Sequence, residues 1–173
     1  MTQDGAVILA EGFDKPQILN DGNELSYAEA AEGSKIFVSR NDGIASLYVV
    51  FDKVPGEWTI TDEMSGKSVL CGTNGFLHEY IDLNHEFGYL PMKVEMSFSS
   101  KVSVSEIYAF PEGNVPEWVQ KWNPPCSMAD LMLISSHSDD EQLFFAGVLP
   151  YYAGEMGLEV QVVYIVNHFD THE

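Results

Sequence analysis

In Val102-Ser103-Val104-Ser105-Glu106-Ile107-Tyr108-Ala109-Phe110, apolar and polar residues largely take turns. Successive side chains of an extended strand point to opposite faces, so such a stretch turns one face inward and the other toward water. Upstream, further short runs of the same character fall at 35–39, 46–51, 57–61, 79–83 and 92–99. Between them lie Asn41-Asp42-Gly43, Val54-Pro55-Gly56, Met64-Ser65-Gly66 and Gly72-Thr73-Asn74-Gly75. These residues supply the positive φ angles and fixed kinks of turns. Short strands at this spacing predict an all-β sandwich or jelly roll over 1–110.

Downstream the composition changes. Pro111-Glu112-Gly113-Asn114-Val115-Pro116 and Pro124-Pro125 mark a linker over 111–127. Between the two breaks, 117–122 is predicted to form a short helix with Pro116 at its first position. Trp118 and Trp122 would then share one face and pin the linker against its neighbours. Asp130-Leu131-Met132-Leu133-Ile134-Ser135 follows, a continuous apolar run of the kind expected for a strand buried on both faces. A helix is predicted over 139–152, apolar at Leu143, Phe144, Val148 and Tyr152, bent by Pro150 and stopped by Gly154 and Gly157. A second β-rich run covers 158–166. Strand, helix and strand make a βαβ unit with a right-handed crossover and parallel pairing. The expected fold class is therefore two-part: an N-terminal β-sandwich, then the first βαβ unit of a truncated Rossmann-like α/β domain over 128–173.

His137-Ser138-Asp139-Asp140-Glu141 sits in the turn between the first buried strand and its helix, where ligands of open α/β sheets collect. An imidazole and a carboxylate three residues apart can both ligate one cation, and zinc accepts that nitrogen–oxygen mixture. A second explanation stands beside it. Ser138 followed three residues later by Glu141 fits a capping box, and acids in a first helical turn suit the helix dipole. That explanation leaves His137 unaccounted for.

The segment 129–141, with Phe144-Phe145-Ala146-Gly147 and Val160-Gln161-Val162-Val163-Tyr164-Ile165-Val166, resembles the opening of the PIG-L (LmbE-like) deacetylase family, which carries His-Pro-Asp-Asp-Glu at this strand end. Ser138 departs from the family's usual proline. The resemblance implies zinc (Zn2+) as cofactor, His137 and Asp140 as its ligands, Asp139 as general base, and Glu141 with Ser138 in support. It implies hydrolysis of the N-acetyl group of an amino sugar or glycoconjugate. It also implies a third zinc ligand further downstream, so the chain is expected to be a fragment. His168 is expected beside the substrate. The order of strands in the first region also resembles galactose-binding-like β-sandwich modules, which bind sugars through exposed aromatics. Trp58, Phe76, Tyr80 and Tyr89 are candidates for that role, although each also suits strand packing. His78 and His85 read as strand or surface histidines, and Cys71 and Cys126 as separate thiols. The alternative to a deacetylase is thus a carbohydrate- or protein-binding sandwich without catalysis.

Charge narrows the partners. Twenty-seven acidic against eight basic residues give a net charge of −19. Nucleic acid binding needs a Lys/Arg surface that displaces counterions from phosphate, so that class is excluded, and anionic membranes are disfavoured. No stretch approaches the roughly 20 apolar residues of a spanning helix. The strand-to-helix turn lacks the Gly-rich loop of a nucleotide site. No basic n-region and apolar h-region open the chain, while a sandwich joined to a deacetylase suits an extracellular or cell-envelope parent.

Overall fold

The alternating stretch becomes β8 (Val102–Phe110), paired antiparallel with β2 (Ala28–Arg40) on one side and β3 (Ser46–Phe51) on the other. The structure, a computed structural model, describes residues 5–113, 115–122 and 124–166 and divides into two units, Met1–Trp122 and Asn123–Glu173. The first unit adds β1 (Ala6–Phe13), β4 (Trp58–Asp62), β5 (Ser68–Cys71), β6 (His78–Asp82) and β7 (Lys93–Phe98). The sheet runs β5-β4-β7-β2-β8-β3-β6, with β1 also paired to β2. Residues 28–30 of β2 pair with β8, whereas 35–39 pair with β7. The long β2 is therefore the crease along which one antiparallel sheet curls into a jelly-roll-like sandwich.

Both halves of the curl fill one core. Ile36, Val38, Ile60, Val94 and Met96 meet Leu47, Val49, Val104 and Ile107, all of them fully buried. Each such side chain contributes about 1.5–3 kcal/mol relative to exposure. The alternation in β8 carries a phase slip. Val50 pairs with Glu106 and Phe51 with Val104, so Ser105 is an extra residue, a β-bulge. Val102 and Val104 face the core before the bulge, and Ile107 and Ala109 after it. Glu106, Tyr108 and Phe110 consequently turn to the outer face.

Five of the six expected strands match observed ones to within a residue or two, and 35–39 lies inside the longer β2. Sequence reading omits β1, β5 and the first half of β2. On β1, Val7 and Leu9 are exposed although apolar, so no alternation marks the strand. Residues 28–32 are Ala and Glu only, types depleted in strands. A short helix, α1 (Leu83–Phe87), was also unforeseen; Asp82 caps it by accepting the His85 N–H at 3.0 Å. The expected helix over 117–122 is absent: one turn closes from the Val119 N–H to the Pro116 carbonyl at 3.1 Å.

In the second unit, β9 (Leu131–Ser135) and β10 (Val160–Tyr164) pair in parallel. The Rossmann-like α/β reading is nonetheless corrected here. The connection holds only a four-residue helix, α2 (Asp140–Leu143), and a π-helical turn, Leu149–Glu155, in place of a continuous helix over 139–152. Pro150 sits in the first positions of that π turn, where its missing N–H costs no internal bond. Nor is β9 buried on both faces: Met132 and Ile134 are 59% and 55% exposed, and only Leu133 and Ser135 are buried. The helical residues Leu143 and Phe144 are likewise exposed. The described chain is dominated by strands, and no helices cover both faces of a parallel sheet as that fold class requires.

Gly72, after β5, has φ +79°, and an added Cβ would lie 2.3 Å from the Gly56 carbonyl oxygen and 2.8 Å from a Trp58 ring carbon. A left-handed non-glycine residue costs about 1–3 kcal/mol even without a clash. Gly72→Ala is expected to lower the melting temperature by at least about 5 °C in a thermal scan, while Gly66→Ala, which meets no atom within 4 Å, should cost less.

Candidate functional site

Antiparallel register sets three tyrosines in a row across the outer face: Tyr108 opposite Tyr48, and Tyr48 opposite Tyr80. The neighbouring row is Glu106, Val50 and His78. Residues 115–122 lie over this face as a strap. Val119 is buried against Tyr48 and Val50, and Trp118 meets the Tyr108 ring edge-on with centroids 4.8 Å apart. The Lys121 ammonium stands 4.5 Å from the Tyr80 ring centroid, a cation–π arrangement.

The strap ends at a cleft beside β6. Phe76 and Trp122 approach to 5.2 Å at an interplanar angle of 46°, and Trp122 is 60% exposed. Two adjoining hollows share Phe76, His78 and Trp122. One, of about 220 Å³, is completed by Leu77, Gln120 and Lys121. The other, of about 280 Å³, reaches the loop residues Thr73 and Asn74 and the acids Asp82 and Glu86. His78 is fixed through Nδ1, which lies 2.7 Å from the Tyr48 hydroxyl, so its Nε2 is the nitrogen left to meet a ligand. Burial raises the Tyr48 phenol above its ordinary range, so this group remains a neutral hydroxyl.

Beneath the cleft, Glu79 accepts the Gly72 N–H at 3.2 Å; burial raises its pKa, and that hydrogen bond opposes the rise. Burial, with the nearby Glu79 and Glu86 carboxylates, pushes the Cys71 thiol up to about 12. It therefore stays protonated and unreactive at neutral pH. Both cysteines are free, and Cys126 Sγ lies 3.4 Å from the Gln161 amide oxygen. What the cleft offers is recognition: ring faces for the apolar face of a ligand, with an imidazole, an amide, an ammonium and carboxylates for its hydroxyls.

Of the four aromatics singled out from sequence, Phe76 and Tyr80 line the cleft. Trp58 is a core residue stacked on Phe98 at 5.7 Å. Tyr89 instead donates to Asp62 at 2.6 Å, in a separate hollow beside Met64 and Leu90. His78 is the strand histidine expected, at the start of β6, and Trp122 packs the linker against Phe76 as expected; the sequence reading did not place either at the cleft. The signal that could have found His78 is its spacing, since Phe76, His78 and Tyr80 recur at the period of two that sends side chains to one face.

The residues expected to bind zinc lie in the second unit. His137 Nδ1 is 3.5 Å from Asp140 Oδ2, so those two side chains do converge. The same carboxylate oxygen accepts the His137 backbone N–H at 3.0 Å, which is a helix-start contact. Asp139, not Ser138, holds the N-cap position of α2, and its side chain makes no capping bond. Glu141 is buried beside Tyr164, whose phenol is raised by burial and by that carboxylate. Among the described residues no three His, Cys, Asp or Glu side chains gather, so the pair falls short of the three protein ligands a catalytic zinc takes. His168 lies outside the described residues.

No protein-family model and no curated protein matches the chain. Solved structures do. A stretch amounting to 63% of this chain aligns with 95% of CpGH89CBM32-6 of Clostridium perfringens, a CBM32 carbohydrate-binding module, with a TM-score of 0.52 and 16% identity. The lectin domain of lectinolysin, solved with Lewis b antigen, gives 0.48 at 8% identity over 65% of this chain and 96% of that one. A Streptococcus pneumoniae fucose-binding module, SpX-3, gives 0.48 at 14% over 65% and 97%. Neither of these fainter likenesses carries weight. At 16% identity the first one shows the fold alone, a jelly-roll-like β-sandwich. It overturns the PIG-L assignment, and with it the zinc-dependent deacetylase function and the hydrolase reading. That structure is a carbohydrate-binding module by name, and among the described residues the α/β domain that assignment requires is not formed. Among the described residues no helix is long and apolar enough to cross a membrane.

Glu106 makes the outer face sensitive to pH. Its side chain is fully buried and accepts the Gly22 N–H at 2.8 Å, yet burial lifts its pKa from 4.5 to about 7. A raised acid binds its proton more tightly in the folded state, so its contribution to stability falls as pH rises from about 4.5 to about 7. Glu106→Gln keeps an acceptor for Gly22 and removes the charge. Urea denaturation at pH 5 and pH 8 should show the variant gaining stability relative to the wild type at the higher pH; an unchanged difference would contradict the assignment.

Proposed function

We propose that the sandwich is a non-catalytic carbohydrate-binding module, and that the cleft between β6 and the strap is where it holds its glycan. The observation that carries this reading is the pairing of the half-buried Phe76 with the exposed Trp122, flanked by His78, Gln120, Lys121, Asp82 and Glu86. A sugar ring has a C–H face and a hydroxyl rim. An aromatic surface bordered by hydrogen-bonding groups complements both at once. The CBM32 likeness supports the same class, since that relative is a carbohydrate-binding module by name.

The charge pattern refines the ligand. A surface carrying −19 repels polyanionic chains beyond contact distance. The Asp82 and Glu86 carboxylates favour a neutral sugar, or an amino sugar with its amine toward that rim. A protein ligand is the weaker reading, because the hollows hold only about 220 Å³ and 280 Å³ and carry polar side chains beside their aromatic rings.

Affinity electrophoresis of the whole chain against neutral, amino and acidic polysaccharides tests the proposal. Retardation is expected in galactan or chitosan gels and not in polygalacturonate. Trp122→Ala should weaken binding at least tenfold, about 1.4 kcal/mol, with an unchanged far-ultraviolet circular dichroism spectrum. Binding unaffected by both Trp122→Ala and Phe76→Ala would place the glycan elsewhere.

A further inference from the structure

We propose that the cleft takes two consecutive sugar rings, one on each side of the Phe76–Trp122 pair. The inference rests on the carbohydrate-binding reading and goes beyond it by setting the length and polarity of the ligand. Two hollows of about 220 Å³ and 280 Å³ adjoin, and the residues they share are Phe76, His78 and Trp122. A single ring on the aromatic pair would fill one hollow and leave the other to water.

The unshared linings differ in chemistry. Gln120 and Lys121 border one hollow, amide and ammonium, both belonging to the strap. Asn74, Asp82 and Glu86 border the other, on the loop before β6 and at the start of α1. Hydroxyls or a carbonyl suit the first side, since Lys121 only donates. The second side is rich in acceptors, so it takes hydroxyls or an amine and disfavours a uronate. His78 stands between them, held by Tyr48 at 2.7 Å, within reach of the linkage between two rings. The ligand thus has a direction: its two ends meet different groups.

Two pairs of substitutions separate the hollows without touching the shared aromatics. Asn74→Ala with Glu86→Gln alters the acidic side, and Gln120→Ala with Lys121→Ala the basic side. Isothermal titration of the full chain would use galactose, N-acetylglucosamine and glucosamine, and the disaccharides lactose, chitobiose and the glucosamine dimer. At least one disaccharide is expected to bind tenfold or more tightly than its monosaccharide. Each double variant should weaken that disaccharide at least fivefold, while the monosaccharide responds to only one of the two. A disaccharide no tighter than its monosaccharide, or indifferent to either double variant, overturns the two-ring arrangement while leaving a carbohydrate site. Absence of binding by every sugar in the panel removes the carbohydrate reading itself.

Discussion

β3 and the first six residues of β8 are buried without a break. A sheet in a sandwich ordinarily hides one face and wets the other. Here the outer face carries Tyr48, Val50, Tyr108 and Phe110, and leaving such side chains in water would forfeit about 1.5–3 kcal/mol each. The strap over 115–122 meets that requirement, with Val119 and Trp118 as its anchors. The cleft follows from where the cover stops. Its last aromatic, Trp122, meets Phe76 at the edge strand β6, and the hollows open around that meeting point.

Electrostatics separates the inside of this unit from its surroundings. Glu106 and Glu79 are acids drawn into low dielectric, each steadied by a backbone N–H and each with its pKa raised by burial. Most lysines are engaged near the surface: Lys35 with Glu95 at 2.9 Å, Lys93 with Glu63 at 2.8 Å, and Lys101 with Glu29 at 3.2 Å. Exposed pairs of this kind add little stability, about 0–1 kcal/mol each. Their larger effect is to tie up cations that an anionic partner would need. Lys121, committed instead to the Tyr80 ring, stands at the cleft itself.

The sandwich was legible where strands alternate and turns punctuate them. It was not legible at β1, where apolar residues occupy both faces, nor at residues 28–32, where Ala and Glu carry no strand signal. The bulge at Ser105 shows a subtler limit. Alternation along 102–110 looks nearly regular, yet one extra residue exchanges the faces and sends Glu106 outward with Tyr108. Only the pairing with Val50 and Phe51 reveals it. Phe76 and Tyr80 were visible as candidate sugar-contacting aromatics. Trp122 was hidden because its partner lies 46 residues earlier in the sequence, joined to it by packing alone.

The second unit shows how a local motif can outrun its support. The run 130–135 reads as a strand buried on both faces, but hydrophobicity without periodicity does not count the layers that cover a strand. With one parallel neighbour, Leu133 is hidden while Met132 and Ile134 are exposed. The acidic turn that follows is explained largely by helix chemistry. Asp140 reaches back to the His137 N–H, acids occupy the first turn of α2, and the imidazole rests 3.5 Å from the carboxylate that makes the backbone bond. A carboxylate already engaged by its own backbone gives an ion fewer free lone pairs than the residue letters imply. The letters at 137–141 name possible donor atoms and two of them converge, but a third donor can come only from the layers around the turn, and among the described residues none joins them.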